Sequence, residues 1–205
     1  MALEQQDCSE ASLLQRPILL GLLAAFLYAV VTLPLLAGAT PHALNAAGLH
    51  AGILPISLGL AGTLIVLSTI DALTFELPDV LTLPLAATGV LLHLPLGLSF
   101  ALDQLVAAIL TFACLASLAW FYRATRGRAG LGLGDAKLLA AGGAWLGVSA
   151  LPSVLLLATG AALASVFLAR AWRAPISLSD RIPFGPYLAF AIWLVWLYGP
   201  IATPG

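Results

Sequence analysis

Long apolar runs separated by short polar segments are the feature of this sequence that most restricts its fold. A helix needs about 20 mostly apolar residues to cross a bilayer, and several of these runs reach or approach that length. Only 8% of the 205 residues are charged and 61% are hydrophobic, whereas soluble domains carry about 25% charged residues. These proportions exclude an ordinary soluble enzyme and a disordered chain, and a net charge of −1 excludes a nucleic-acid binder with a basic surface. We therefore expect an all-α polytopic membrane protein.

We predict about seven transmembrane helices behind a polar cytoplasmic tail, residues 1–16, so that residues 17–205 form one integral membrane domain. The fifth helix is short, about 14 residues from Ala136, and a turn near Gly147 and Pro152 separates it from the sixth. A re-entrant helix stays an alternative to this fifth crossing. The predicted spans cover residues 17–37, 53–70, 80–96, 103–122 and 184–201, with the fifth and sixth sharing residues 136–172.

Basic residues predict the orientation, because cytoplasmic loops of membrane proteins carry an excess of lysine and arginine. With seven crossings and a cytoplasmic N-terminus, all eight basic residues fall on the cytoplasmic side. The loops predicted on the far side, residues 38–51 and 97–103 among them, contain none. Removing the short fifth span would move the last three basic residues to the far side. The eight are Arg16, Arg123, Arg126, Arg128, Lys137, Arg170, Arg173 and Arg181.

Three aspartates lie at the predicted cytoplasmic edge of the membrane. Asp71 ends the second span, Asp79 begins the third and Asp135 begins the fifth. Acidic groups within membrane segments are rare and commonly functional. Asp79 and Asp135 have a structural alternative, since a carboxylate at a helix start can cap free N–H groups. Asp71 lacks that explanation, because a carboxylate at the end of a helix faces the negative end of the helix dipole.

Asp71 and Asp135 belong to different spans, so helix packing is able to bring them together. Two facing carboxyl groups do not both ionise easily, and one holds a proton while the other activates water, as in aspartic proteases. Gly132 and Gly134 would let the backbone approach an extended substrate, or would simply form a flexible loop. The rival classes are a proton- or ion-coupled transporter that uses the same aspartates, and a non-catalytic scaffold. Transporter sites usually lie near the bilayer midplane between repeated halves, and no internal repeat is visible here.

Three motifs follow one another within residues 65–200: DALTFELPDVLTLPL, GLGLGDAKLLAAGGAWLG and IPFGPYLAFAIWL. In this order they resemble the type IV prepilin peptidase family, a group of GxGD-type aspartyl intramembrane proteases. The resemblance implies that the catalytic pair is Asp71 and Asp135. It assigns substrate-binding or supporting positions to Asp79, Gly132, Gly134 and Lys137.

The resemblance also implies a substrate and a location. The protein would be an aspartic endopeptidase that removes the leader peptide of type IV prepilins, or of the pseudopilins of type II secretion. Cleavage would take place at the cytoplasmic face of the bacterial inner membrane. The expected partners are prepilin or pseudopilin substrates and the lipid bilayer, without nucleic acid. The sequence does not decide between a monomer and a homo-oligomer.

The sequence departs from many family members, which carry a cysteine-rich cytoplasmic domain with paired CxxC motifs that bind zinc. That domain is associated with N-methylation of the trimmed pilin. Here about 14 residues without cysteine join the first two predicted spans, and the chain has two cysteines, Cys8 and Cys114. Structural zinc needs about four Cys or His ligands at suitable spacing. We therefore expect a short form of the family with no cofactor, no metal and no methyl transfer.

Overall fold

The computed structural model describes residues 53–126, 132–171 and 183–201, and within these ranges all regular structure is helical, with no strand. The predicted first span, residues 17–37, lies outside the described residues. Two 3-10 turns, Leu94–Leu96 and Val148–Ala150, accompany the α-helices. The α-helices of the described ranges are α1 (Ile53–Thr74), α2 (Asp79–Leu92), α3 (Leu98–Arg126), α4 (Leu133–Leu146), α5 (Leu151–Ala171) and α6 (Gly185–Tyr198).

Four helical segments of the described ranges are long and apolar enough to cross a membrane, by length and composition. Many of their large apolar side chains are exposed on the outside of the bundle, as Leu83, Ile109 and Phe167 are. Such an apolar surface suits contact with lipid. The part of the chain that the structure describes is thus all-α, and the chain is a multi-pass membrane protein, as the sequence predicts. The four segments are Pro55–Thr74, Asp79–Leu96, Leu98–Thr125 and Val148–Leu168.

The end of α1 differs from the prediction. The apolar run predicts a span that stops at Asp71, but the helix continues to Thr74, so Asp71 lies one turn inside it. The Phe75 N–H donates to the Asp71 carbonyl at 2.9 Å, and Phe75 itself has a φ of 56°. A residue in this left-handed conformation commonly ends a helix. Backbone geometry, rather than the first charged residue, therefore determines where α1 stops.

Two other helices begin earlier than hydropathy predicts. α3 begins at Leu98 rather than at Asp103, directly after Gly97, whose φ of +132° ends the preceding turn. α4 begins at Leu133, so Asp135 lies in its first turn. The first turn of a helix accepts polar residues because its N–H groups have no partner within the helix. The predicted turn at Gly147 is present and ends α4 after 14 residues.

The short helices α4 and α6 form the centre of the bundle. Each has 14 residues and is therefore about 21 Å long. This length is shorter than the thickness of the bilayer's hydrocarbon core, which is about 30 Å. Glycines let α4 lie against two neighbours at once. A Cβ added at Gly142 would come within 2.9 Å of Ile192 on α6, and one at Gly143 within 3.2 Å of Thr111 on α3. Small residues at such contacts favour close helix packing in membranes.

Buried tryptophans fix the outer helices to this centre. The Trp145 indole N–H donates to the Leu85 carbonyl on α2 at 2.7 Å, and the Trp196 indole N–H to the Ser57 hydroxyl on α1 at 3.1 Å. The two indole rings meet edge to face, with centroids 5.3 Å apart. Because a buried N–H without a partner is costly, these contacts hold α1 and α2 in register with α4 and α6.

Pairs of contacts give the direction of neighbouring helices. α5 and α6 are antiparallel, because the Tyr187 hydroxyl donates to Ser165 near the end of α5 while the Ile201 N–H donates to Ser153 near its start. Two contacts at different heights give the direction of the other neighbouring helices in the same way. They show that α1 is antiparallel to α6, that α3 is antiparallel to α4, and that α2 is parallel to α4. The described helices therefore alternate in direction along the chain. The C-terminal end of α1 meets the starts of α2, α4 and α6 at one end of the bundle.

Candidate active site

A polar cavity of about 270 Å³ lies at the end of the bundle where the C-terminal end of α1 meets the starts of α2 and α4. Its walls come from the last turn of α1, the connection to α2 and the first turns of α4. Both aspartates that the sequence singles out as a pair face it, together with both glycines of the GxGD motif and the lysine that follows. The lining residues are Asp71, Phe75, Glu76, Leu77, Gly132, Leu133, Gly134, Asp135 and Lys137.

Asp71 is buried and is bound by another helix. Its residue surface is only 5% exposed, and its Oδ2 accepts a hydrogen bond from the backbone N–H of Gly185 at 2.9 Å. Gly185 is the first residue of α6. The first N–H groups of a helix lack partners within it, and that end of the helix carries partial positive charge. The start of α6 therefore offsets the unfavourable interaction between the Asp71 carboxylate and the negative end of the α1 dipole.

Asp135 lies in the first turn of its own helix and faces the cavity at the same time. It occupies the third position of α4 after the N-cap residue Gly132, and a Cβ added at Gly132 would lie 3.2 Å from the Asp135 Oδ2. The start of a helix favours a negative charge, because its N–H groups have no partner within the helix. This position is the structural alternative that the sequence allowed for Asp135, and it does not remove the carboxyl from the cavity.

The structure brings Asp71 and Asp135 together, close enough for their charges to interact. The two carboxyl groups come from different helices, and each lies at the start of a helix: Asp71 accepts a hydrogen bond from the first amide of α6, and Asp135 lies in the first turn of α4. Because adjacent carboxylates repel each other, a pair that shares one proton is favoured over a doubly charged pair. Such a pair is able to accept one proton and donate another, which is the chemistry that amide hydrolysis requires.

Asp79 does not line the cavity. Its Oδ1 accepts a hydrogen bond from the Lys137 Nζ, and the side chains of Lys137 and Asp79 are 31% and 55% exposed. This ion pair joins the first turn of α2 to the second turn of α4. An exposed ion pair contributes about 0–1 kcal/mol to stability. Lys137 thus connects Asp79 to the cavity, while Asp79 itself stays outside it.

The connection between α1 and α2 is part of the cavity wall that sequence reasoning missed. Phe75 and Glu76 line the cavity, and Phe75 is half-exposed there. Leu77 is buried against the GxGD turn, where a Cβ added at Gly134 would come within 3.1 Å of the Leu77 Cβ. No local signal distinguishes Phe75. The short spacing from Asp71 to the next predicted span is the one clue that could have placed this segment beside Asp71.

Side chains that commonly bind metals are sparse in the described residues. No group of three His, Cys, Asp or Glu side chains comes together there in a way that could hold a metal ion. Cys114 on α3 is a free, exposed thiol, and the His93 Nδ1 hydrogen-bonds the Gly89 carbonyl at 2.8 Å. The described part of the cavity is therefore a site of carboxyl groups, backbone amides and one lysine.

Comparison with known proteins agrees with the three sequence motifs. A family model described as the type IV leader peptidase family matches residues 58–168, which is more than half of the chain and includes both cavity aspartates. The chain belongs to this family. The resemblance read from the motifs is thereby confirmed at the level of the family, and the transporter alternative receives no support.

Several similar proteins carry the name prepilin leader peptidase/N-methyltransferase. The one from Aeromonas hydrophila is 43% identical over 150 residues, which cover 72% of this chain and 50% of that protein. The one from Burkholderia pseudomallei strain 1026b is 41% identical over 133 residues, 65% of this chain and 43% of that protein. The one from Pseudomonas aeruginosa is 41% identical over 142 residues, 68% of this chain and 48% of that protein. The chain spans about half the length of the curated relatives it matches. No solved structure matches it.

Proposed function

We propose that this protein is an aspartic endopeptidase that removes the leader peptide of type IV prepilins or pseudopilins at the cytoplasmic face of the bacterial inner membrane. The observation that carries the proposal is the convergence of Asp71 and Asp135 on one cavity beside the GxGD turn. Membership of the leader peptidase family supports the same activity. The names of the relatives indicate the class of substrate.

Hydrolysis uses the two carboxyl groups in complementary states. The ionised carboxylate takes a proton from water as the water oxygen attacks the carbonyl carbon of the scissile bond, and the protonated carboxyl gives its proton to the carbonyl oxygen. The resulting diol collapses when its amide nitrogen takes the proton that the first carboxyl received, and the second carboxyl recovers a proton from one hydroxyl. The C–N bond breaks, and one water is consumed for each acid and amine released. Both aspartates return to their starting states.

The remaining residues of the motif would support this pair. Gly132 leaves room for the Asp135 carboxyl, and Gly134 leaves room for Leu77 against the turn. Lys137 lies on the cavity wall and, through its ion pair with Asp79, holds the starts of α2 and α4 together. We assign Gly132, Gly134, Lys137 and Asp79 to positioning roles around the catalytic pair Asp71 and Asp135.

The proposed topology has seven spans and a cytoplasmic N-terminus. The alternating direction of the described helices supports it, because α4 reverses the chain between α3 and α5 although it is short. Arg123 near the end of α3 and Lys137 near the start of α4 lie at the same end of the bundle as the cavity. Cytoplasmic loops are the ones enriched in basic residues, so this end would be the cytoplasmic one.

The direct test is cleavage by the purified full chain. The protein in detergent micelles is mixed with a prepilin-type substrate that carries its leader, and the products are identified by mass spectrometry. We expect a shortened substrate and a released leader peptide. A transporter would need two compartments and would leave the substrate intact, so an intact substrate after prolonged incubation with folded protein would contradict the proposal.

A further inference from the structure

We propose that the backbone N–H of Gly185 positions the Asp71 carboxyl for catalysis, so that residue 185 must lack a side chain. This inference rests on the proposed function, since it gives Gly185 a part in the same reaction. It adds to the site a residue that is 114 positions away from Asp71 in the sequence.

The contact leaves no space for a side chain. Gly185 is buried, and a Cβ added there would come within 2.5 Å of the Asp71 Oδ2, 2.7 Å of its Cγ and 3.0 Å of its Cβ. Real Cβ atoms essentially never approach another atom so closely. Asp71 is itself buried within a helix, so it has little freedom to move aside. An alanine at position 185 would therefore displace either the carboxyl or the start of α6.

The hydrogen bond from the Gly185 amide to the Asp71 carboxyl also stabilises this arrangement. A hydrogen bond from an amide to a carboxylate is stronger than one between neutral groups, and here both partners are buried. Pro183 and Pro186 on either side have no N–H, so Gly185 and Phe184 are the residues of this segment that offer a backbone donor. The bond holds Oδ2 in place and thereby fixes the orientation of the Asp71 carboxyl group.

Positioning and mere structural support predict different kinetics. A catalytic group that is displaced by about 1 Å loses about 100-fold in rate even when the substrate still binds. We therefore expect Gly185→Ala to lower kcat about 100-fold while KM changes by less than about twofold. Gly160→Ala is the matched control, because a Cβ added at Gly160 on α5 meets nothing within 4 Å. This control should keep the wild-type kcat.

A second measurement tests the contact between Gly185 and Asp71 without a cleavage assay. Thermal unfolding in detergent is compared for Gly185→Ala in the wild-type background and in an Asp71→Gly background, which removes the three atoms nearest to the new Cβ. Residues in direct contact give non-additive effects. We expect Gly185→Ala to lower Tm in the first background and to have little effect in the second. This pair also covers the case in which Gly185→Ala alone fails to fold.

The results separate the two proposals. An equal loss of Tm in both backgrounds, or a wild-type kcat in folded Gly185→Ala, would overturn the positioning role. If the wild-type protein does not cleave prepilin, the proposed function fails, and the coupling in Tm then decides whether the contact exists. A rise in KM with unchanged kcat would also overturn the inference, because it would place Gly185 in substrate binding instead.

Discussion

At the scale of single residues, Asp71 and Asp135 illustrate how a carboxyl group serves a local structure and remains available for chemistry. Asp135 lies in the first turn of its own helix, and Asp71 accepts the first amide of a different helix. The hydrogen bond to Asp71 uses a carboxyl oxygen as acceptor, and an asparagine side chain keeps one acceptor oxygen. Asparagine therefore preserves much of the structural contact and removes the ability to exchange the proton.

Asp79 provides the residue-scale prediction. We expect Asp79→Asn to retain measurable cleavage activity and to change the free energy of unfolding by about 1 kcal/mol or less, because its ion pair with Lys137 is exposed. Initial rates on the prepilin-type substrate and a denaturant titration in detergent check both parts. Complete loss of activity in folded Asp79→Asn would instead place this carboxyl in the chemical step.

At the scale of helices, the position of the cavity depends on how closely α4 approaches its neighbours. α4 carries Asp135 and is packed between α2, α3 and α6. Gly142 and Gly143 have no side chains, so the neighbouring helices can approach α4 closely at these two residues. A bulky side chain there would push α4 outward and move Asp135 away from Asp71.

Gly143→Leu tests this packing. A Cβ at Gly143 already lies 3.2 Å from the Thr111 Oγ1 and 3.3 Å from the Ala107 carbonyl oxygen, and overpacking of this kind costs about 1–3 kcal/mol. We expect a lower Tm in detergent together with weaker cleavage. Gly62→Leu is the control, since the space around Gly62 on α1 is open. Equal Tm values for the two leucine variants would contradict the packing described for α4.

Hydropathy predicted most of the described helices, because long apolar runs are a direct consequence of the bilayer. It misplaced their ends, as at Thr74 and Leu98, because local hydrogen bonds and single dihedral angles determine where a helix stops. The pairing of Asp71 with Asp135 was expected from their positions at the edges of two spans. The amide of Gly185 was not, because nothing in a linear sequence shows which helix start meets a given carboxyl.

At the scale of the whole molecule, the proposal requires that the cavity end of the bundle faces the cytoplasm. Ser99, near the start of α3, and Arg123, near its end, are both exposed and lie at opposite ends of that helix. In a background with Cys8 and Cys114 replaced by serine, an impermeant thiol reagent added outside spheroplasts should label Ser99→Cys and spare Arg123→Cys. Labelling of Arg123→Cys alone would show that the orientation is reversed.

The products should also show whether these 205 residues transfer a methyl group. The relatives' names include an N-methyltransferase, and the chain spans about half of their length. The two cysteines and three histidines of the sequence lack the paired spacing of a structural zinc site, which needs about four Cys or His ligands; they are Cys8, His42, His50, His93 and Cys114. We expect the trimmed product to keep a free α-amino group when S-adenosylmethionine is supplied, and cleavage to continue with a strong chelator. A methyl mass on the product, or cleavage that stops with the chelator, would contradict this.

The most direct test of the account is the cleavage rate of the two aspartate variants beside a matched one. Asp71→Asn and Asp135→Asn keep the size of each side chain and remove its acid–base function, which commonly supplies about 10²–10⁴-fold in rate. Asp103→Asn on α3 changes an aspartate that does not line the cavity. With all three proteins folded in detergent, we predict that the two cavity variants lose at least about 100-fold in leader removal while Asp103→Asn cleaves like the wild type. Wild-type cleavage by either cavity variant would contradict the account.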